Sequence, residues 1–394
     1  MISFGQAKNL VIEQAISFGT EKISLDNAVG RVIAEKVFAD RDYPPFNRSS
    51  MDGIAIQFSD WGNGVREFSI KETIYAGKFS QSNINSGECY KIMTGAAVPL
   101  IADTIIRRED LTPNENRIIV NDISVDQFQN ISKKGQDLQN GEIVIDKPVR
   151  CDTAVVAALA SVGKSEVLVE CLPKVAIITT GDEVMSVGMP VNEVQIRNSN
   201  VHVLRSLLKE WDIVPISTIH VRDDRTELHN AIASSRWNDI LILNGGVSAG
   251  DADYVPDVLT GLGAKKIFHK VAIKPGKPIW FGKFENGATV FALPGNPFSC
   301  MVTFKLFIDL FLTASFGLEE EIGMQLSFAA TRNKKNVLDE FFPVSIIGSP
   351  STLVPIQFNG SGDITAAMAA KAIAQHPADK EVLEEGDLVS CILL

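Results

Sequence analysis

Val175-Ala176-Ile177-Ile178-Thr179-Thr180-Gly181-Asp182-Glu183 decides the fold of this chain. Six uncharged residues run into a glycine and two carboxylates. An unbroken run of this length, set between Pro173 and Gly181, reads as a strand buried on both faces. The pattern then repeats. A helical segment carries Val201, Leu204, Leu207 and Leu208 on one face, and Ile216 to Val221 reads as a strand. A helix with Leu228, Ala231 and Ile232 follows, and the strand Ile240-Leu241-Ile242-Leu243 breaks at Asn244-Gly245-Gly246. Strands alternating with helices predict βαβ units and a parallel sheet covered on both faces.

The flanks read differently. Phe4 to Phe18 has near-helical spacing of Ala7, Leu10, Val11 and Ala15. Glu21 to Asp26 looks like a strand, and Ala28 to Val32 a short helix or turn. Tyr43-Pro44-Pro45 is a breaker. From there to about Val149 short β-rich runs, such as Gly53–Ile56, Thr104–Ile106 and Arg117–Val120, are split by Gly, Asn, Asp and Pro, which predicts a β-domain. Ala154 to Val162 is a small-residue helix, and after Gly317 short strands and turns predict a terminal β-domain.

With 394 residues the chain is expected to hold two to four domains at roughly 100–200 residues each. An apolar share of 45% supplies several cores and excludes disorder throughout. A net charge of −11 argues against a general nucleic-acid or membrane-surface binder, while leaving room for a local basic pocket. The five cysteines include no CxxC pair and read as reduced thiols of a cytoplasmic protein, not a disulfide framework or zinc site. No signal peptide is expected from Met1-Ile2-Ser3-Phe4. Lys305 and Asp309 interrupt the apolar stretch Cys300–Phe316, which reads as a buried helix, not a membrane span. The five histidines are scattered without metal-ligand spacing.

Ligands of open parallel sheets bind beyond the carboxyl ends of the strands. Here those ends are Thr180-Gly181-Asp182-Glu183 and Gly245-Gly246-Val247-Ser248-Ala249-Gly250-Asp251-Ala252-Asp253. Their glycines let a backbone approach anionic oxygens, and Asp251 and Asp253 could face a metal or a ribose. A single Gly-Gly turn commonly does no more than cap a helix; two such loops on consecutive units point to a binding site. Lys274-Pro275-Gly276-Lys277-Pro278, with Lys270 nearby, forms a basic patch suited to a small oxyanion or a phosphate, although the commoner fate of such a string is a solvated turn. Pro294-Gly295-Asn296-Pro297 opens the apolar helix, whose N-terminus could hold an anion; the prolines could equally just shape the turn. In the β-domain, Ser50-Met51-Asp52-Gly53, Met93-Thr94-Gly95 and Gly135-Gln136-Asp137 show no catalytic geometry by spacing alone.

Together, in this order, these strings resemble the molybdopterin molybdenumtransferase family, which completes the molybdenum cofactor and includes the E domain of gephyrin. The resemblance covers nearly the whole chain. It implies four domains: a discontinuous N-terminal linker domain (1–41 and 141–172), a β-rich inserted domain (42–140), a three-layer α/β/α molybdopterin-binding domain (173–318) and a C-terminal β-barrel-like domain (319–394). It implies a homodimer that inserts molybdenum from molybdate into adenylylated molybdopterin and releases AMP with a divalent cation, usually Mg2+. By resemblance the molybdate site maps onto Lys274, Lys277, Pro278 and Ser299, with Ser361 from the C-terminal domain. The functional acidic residues map onto Asp52, Asp137, Glu183 and Asp253, and the functional threonine onto Thr94, with Asp52 and Thr94 on the partner's side of the cleft. Asp182, Glu183 and Asp253 are the metal candidates. Thr180, Gly181, Gly245, Gly246, Ser248, Gly250, Asp251, Pro294 and Pro297 complete the expected binding set. A molybdopterin adenylyltransferase and molybdoenzyme-maturation proteins are the expected partners.

The chain departs from the family in several places. Ile54 stands for a usual tyrosine, Ala97 for a proline and Asn244 for a Ser or Thr. An arginine that often precedes an acidic–Phe pair is missing from Asn336-Val337-Leu338-Asp339-Glu340-Phe341, which leaves Arg332, Lys334 and Lys335 as the nearby cations and leaves molybdate against tungstate open. Two rivals stand beside the transferase. A molybdopterin adenylyltransferase shares the α/β domain but normally lacks the flanking β-domains. A non-catalytic nucleotide-binding scaffold would bind the adenylate and release no AMP.

Overall fold

A computed structural model describes residues 1–394 except 116, 248–253 and 320–322. The chain divides into two compact units. Met1–Ala34, Pro148–Asp152 and Glu166–Leu394 form the first; Glu35–Lys147 and Thr153–Ser165 form the second.

The heart of the first unit runs β1 (Val175–Thr180), α1 (Asn200–Lys209), β2 (Ser217–Val221), α2 (Arg225–Ser235), β3 (Ile240–Asn244), α3 (Val255–Gly261), β4 (Lys265–His269), β5 (Trp280–Lys283), β6 (Thr289–Leu293) and α4 (Pro297–Thr303). The sheet order is β2-β1-β3-β6-β5-β4. Every residue of β1 and β3 is buried, as their unbroken apolar runs predict. Alternate side chains feed two cores. Val175, Ile177, Ile240 and Ile242 pack with Leu204 and Leu208 of α1 and with Phe307 and Phe311 beyond α4. Ala176, Ile178, Leu241 and Leu243 pack with Leu228 and Ile232 of α2 and Val258 of α3. This is the three-layer arrangement. Asp224 starts α2 by accepting hydrogen bonds from the N–H groups of Thr226 and Glu227, both at 2.8 Å.

The expectation of a wholly parallel sheet is corrected at one edge. β2, β1, β3 and β6 are parallel, whereas β5 runs antiparallel to both β6 and β4. The reason is connection length. Only residues 284–288 separate β5 from β6, and a parallel crossover needs a dozen or more residues.

α4 continues through a wider π-helical turn, Phe304–Ile308, into a helix at Asp309–Ser315. The stretch Pro297–Ser315 is long and apolar enough to cross a membrane by composition, but 78% of its apolar window is buried inside the protein, so it is a core helix. The two charges that interrupt it meet each other. Lys305 Nζ lies 3.3 Å from Asp309 Oδ2 and 2.6 Å from Glu210 Oε2, and Trp211 Nε1 donates to Asp309 Oδ1 at 2.9 Å.

The C-terminal strands Met324–Phe328, Asp339–Ile347, Thr352–Pro355, Ala372–His376 and Leu388–Leu393 close on themselves, because Asp339–Ile347 pairs with both Thr352–Pro355 and Ala372–His376. The predicted barrel-like sheet is thus a five-stranded closed one. The N-terminal helix is shorter than predicted, Phe4–Ile12 rather than to Phe18. Beyond Ile12 the chain leaves the helix, and the Ile16 N–H donates to Ser315 Oγ at 3.3 Å instead. Strand Thr20–Ser24 and a single 3-10 turn at Leu25–Asn27 follow; the segment read as a helix or turn at Ala28–Val32 is a turn through Gly30 leading into strand Val32–Ile33.

The second unit is built on a six-stranded sheet, in spatial order Thr104–Arg107, Gly53–Ile56, Glu88–Ile92, Glu67–Ile74, Arg117–Val120 and Leu111–Asn114. Ile54 is fully buried there, so the departure from tyrosine is a packing change. All five cysteines are free, and burial pushes the thiols of Cys89 and Cys300 up to about 12, which makes them inert.

Candidate functional site

The chain passes from β1 to β2 on one side of the sheet and returns to β3 on the other side of β1. The carboxyl ends of β1 and β3 therefore flank a topological switch point. Their loops are pressed together. Gly245 has φ +96°, and a Cβ there would lie 2.7 Å from Thr180 Oγ1. At Gly246 (φ +66°) a Cβ would lie 3.0 Å from Val255 Cγ2. The glycines are there because nothing larger fits. Gly181 is held likewise, beside Val184 and Glu183. Asp182 and Glu183 are exposed just beyond it, and Asp182 Oδ1 accepts from the Asp223 N–H at 3.2 Å. Ser248, Gly250, Asp251 and Asp253 lie outside the described residues, so the proposed trio Asp182, Glu183 and Asp253 is placed only in its first two members. Among the described residues no three His, Cys, Asp or Glu side chains converge as a metal site.

A network that the sequence did not announce ties this end of the sheet to the next turn. Asn244 Nδ2 donates to the Pro294 carbonyl at 2.8 Å, and Asn200 Nδ2 donates to Asn244 Oδ1 at 2.9 Å and to the Gly295 carbonyl at 2.6 Å. The amides of Asn200 and Asn244 are buried, although Gly295 is exposed, so these bonds are strong constraints on the turn 294–296. At Asn244, the departure from Ser or Thr, one amide both accepts from Asn200 and donates to the Pro294 carbonyl.

That turn forms one wall of a cleft of about 570 Å3, lined by Lys274, Lys277, Pro278, Pro294, Asn296, Ser299, Arg332, Glu340 and Ser361 among others. The five residues expected to hold an oxyanion, Lys274, Lys277, Pro278, Ser299 and Ser361, are all brought together here from three separate stretches of chain. Two backbone arrangements do this. Ile273–Lys274 pairs in parallel with Asp339–Glu340, which sets Lys274 opposite Glu340. On the other wall Asn296 Nδ2 donates to Ser361 Oγ at 2.8 Å, and the Phe298 N–H, in the first turn of α4, donates to the Ser361 carbonyl at 3.1 Å. Pro297 occupies the first helical position, where its missing N–H costs nothing.

The turn between the lysines is sterically determined. Gly276 has φ +102°, and a Cβ there would lie 2.4 Å from Thr303 Cγ2, whose hydroxyl is bound to the Ser299 carbonyl at 2.8 Å. Gly276→Ala is expected to cost about 1–3 kcal/mol through overpacking and a left-handed backbone. Chemical denaturation would measure it, and an unchanged midpoint would show that the turn relaxes freely.

Arg332 lines the cleft, whereas Lys334 is buried with its ammonium donating to the carbonyls of Leu338 and Pro377, and Lys335 is exposed. Arg332 Nη2 donates to Glu340 Oε2 at 2.5 Å, and Nη1 meets His376 Nδ1 at 2.8 Å. His376 is fully buried, its Nε2 lies 2.9 Å from the Lys380 carbonyl, and burial together with Arg332 holds its pKa down, so the ring is neutral with Nδ1 as the acceptor. Glu340 also accepts from Lys274 Nζ at 3.0 Å and Asn336 Nδ2 at 2.5 Å. Burial alone would raise its carboxyl, but these hydrogen bonds from Arg332, Asn336 and Lys274 outweigh it and bring it to about 2. A folded value below the ordinary 4.5 contributes stability that is complete above pH 4.5 and lost as pH falls toward 2, on the order of 3 kcal/mol. Urea unfolding of wild type and Glu340→Gln across pH 5 to 2 should therefore converge at the acid end. Curves that stay parallel would remove Glu340 from the linkage.

Sequence reading missed Asn200, Asn296 and Glu340. A signal existed for the last: a glutamate heading the buried strand Asp339–Ile347 demands a partner.

In the second unit Asp52 and Thr94, singled out separately, are in contact. Asp52 Oδ1 accepts from the Thr94 N–H at 2.7 Å and from Thr94 Oγ1 at 2.8 Å, and these bonds hold the carboxyl below the usual range. The loops are laced by Gly95 N–H to the Ser49 carbonyl (2.8 Å) and Ser49 N–H to the Ala96 carbonyl (2.9 Å). Gly53 leaves no alternative, since a Cβ would sit 1.9 Å from the Ile106 carbonyl oxygen. Asp137 is exposed on its own turn, its N–H bound to the Tyr43 carbonyl at 2.9 Å.

Residues 2–163 match the family model described as MoeA N-terminal region (domain I and II), and 176–314 match one described as probable molybdopterin binding domain. A molybdopterin molybdenumtransferase from Synechocystis sp. is 30% identical over 98% of both chains. One from Haemophilus influenzae is 35% identical over 77% of this chain and 75% of that one. A crystal structure of the molybdopterin biosynthesis moeA protein from Pyrococcus horikoshii OT3 superposes with TM-score 0.83 at 27% identity, covering all of both chains.

Proposed function

The chain belongs to the molybdopterin molybdenumtransferase family, and we propose that it transfers molybdenum from molybdate to adenylylated molybdopterin with release of AMP. The observation that carries this reading is the cleft in which Lys274, Lys277, Ser299 and Ser361 meet. Molybdate is a dianion without dissociable protons at neutral pH, and ammonium groups and hydroxyls are the donors it needs. The cleft is several times larger than one oxyanion, in the range of small-molecule sites, which leaves room for an organic co-substrate beside it.

In this reading Lys277 and Lys274 concentrate molybdate, and Ser299 and Ser361 orient its oxygens. Thr180, Gly181, Gly245 and Gly246 shape the switch-point crevice for the adenylylated pterin. Asp182 and Glu183 would hold a magnesium ion, with Asp253 as a third candidate. Two exposed neighbouring carboxylates suit that ion, which commonly takes one or two carboxylates and completes its shell with water and phosphate oxygens. When bound it supplies neutralisation of the charge that develops as the adenylate linkage breaks. Asp52 and Thr94, hydrogen-bonded to each other, would serve the cleft from a second copy of the chain in a homodimer, with Asp137 as a further acidic group. A cytoplasmic setting, with a molybdopterin adenylyltransferase supplying the substrate and molybdoenzyme-maturation proteins receiving the product, belongs to the same proposal, as does the four-domain division.

The test is AMP release from adenylylated molybdopterin with magnesium, with and without molybdate or tungstate. Release stimulated by either oxyanion supports the transferase; binding with no release under any oxyanion points to the scaffold. Glu183→Gln is expected to lower magnesium-dependent turnover by about 10- to 100-fold with adenylate binding nearly unchanged. An equal fall in both would make Glu183 structural.

A further inference from the structure

Glu340 is the one carboxylate among the described residues that line this cleft, whose other charged lining groups are the cations Lys274, Lys277 and Arg332. It stands at a crossing of three strands: Lys274 is its parallel register partner and His376 its antiparallel one. Both oxygens are engaged, Oε1 by Lys274 and Asn336 and Oε2 by Arg332. The charged and titratable groups around it are Lys274, Arg332, Lys334, Asp339 and His376, and Lys277 shares its cleft. Glu340 is 5% exposed, so its charge is poorly screened, whereas Lys274 and Lys277 are exposed.

A dianion entering this cleft meets Lys277 unopposed, because among the described residues Lys277 has no carboxylate partner, but meets Lys274 and Arg332 already neutralised in part. We infer that Glu340 is a positioning residue that tempers the cleft's hold on its oxyanion, fixing Lys274 and Arg332 in place while offsetting part of their charge so that the bound oxyanion can leave for its acceptor. The inference rests on the oxyanion reading of the cleft. Its physical basis is that ground-state binding that is too strong deepens the well from which transfer must start. A carboxylate a few ångströms from a dianion is strongly repulsive in a partly dry cleft, so charge removal outweighs loosened geometry.

The sign of the effect separates this from a merely structural role. With tungstate as the probe in calorimetric titrations, Glu340→Gln should bind about tenfold tighter than wild type, and in the AMP-release assay its KM for molybdate and its kcat should both fall. Glu340→Asp, which keeps the charge, should stay within about threefold in affinity. Should the glutamine variant not give a cooperative melt, Asn336→Asp carries the test with the opposite sign: it adds a carboxylate beside Oε1, keeps the oxygen that accepts the Leu338 N–H, and should weaken tungstate binding about tenfold. Weaker or unchanged binding in folded Glu340→Gln, with wild type binding and Lys277→Ala impaired, overturns the role of Glu340 alone. No tungstate or molybdate binding by wild type overturns the oxyanion reading itself.

Discussion

Lys277→Ala is expected to weaken molybdate binding by roughly 10- to 100-fold while leaving binding of the adenylate nearly unchanged. Two unit charges 4 Å apart interact by about 4 kcal/mol at an effective dielectric of 20, and solvent around an exposed lysine removes half or more of that. The same change at Lys274 should cost more. Lys274 is bound to Glu340 at 3.0 Å, so its removal also frees a repelling carboxylate, whereas Lys277 has no carboxylate partner among the described residues. The check is the molybdate dependence of AMP release for both variants. Equal losses would mean that Glu340 does not distinguish the lysines, and no loss at Lys277 would take it out of the oxyanion site.

Lys305→Met is expected to destabilise the first unit by about 3 kcal/mol, the low end for a buried pair, because it leaves Asp309, whose side chain is 19% exposed, without its ammonium partner. Burial already pushes the Asp309 carboxyl up, against the pull of Lys305. Burial lowers the Lys305 ammonium in turn, but Asp309 and Glu210 together outweigh it and raise it. Without Lys305 the Asp309 value rises further above its unfolded one. An acid with a raised folded value is favoured when protonated, so the loss should shrink as pH falls and grow as it rises. The double variant Lys305→Met, Asp309→Asn should recover most of the stability, since the amide oxygen still accepts from Trp211 Nε1. Urea unfolding from pH 5 to 8 measures all three chains. A single variant as stable as wild type would show that water reaches Asp309.

The two predictions differ in how far ahead they could be seen. Lys277 stands in a short string, Lys274-Pro275-Gly276-Lys277-Pro278, whose composition already suggests an anion site. Lys305 and Asp309 were visible only as interruptions of an apolar helix. That they pair with each other follows from i,i+4 spacing, but Glu210 and Trp211 join them from the end of α1, 95 and 98 residues away in sequence. Local order along the chain was therefore legible, and the charge balance of a buried cluster was not.

The same division holds across the molecule. Apolar runs and their breakers determined β1, β3, the core helix and the glycine turns, because burial on two faces and a positive φ leave few residue types that fit. The family strings determined which residues to watch. Tertiary structure alone decided the rest: the antiparallel direction of β5, the pairing of Asp52 with Thr94, and the meeting of Arg332, Glu340 and His376 behind Lys274. Each depends on which strand lies beside which and in what register. A side chain's neighbours across a sheet are set by that register, and no local pattern carries it.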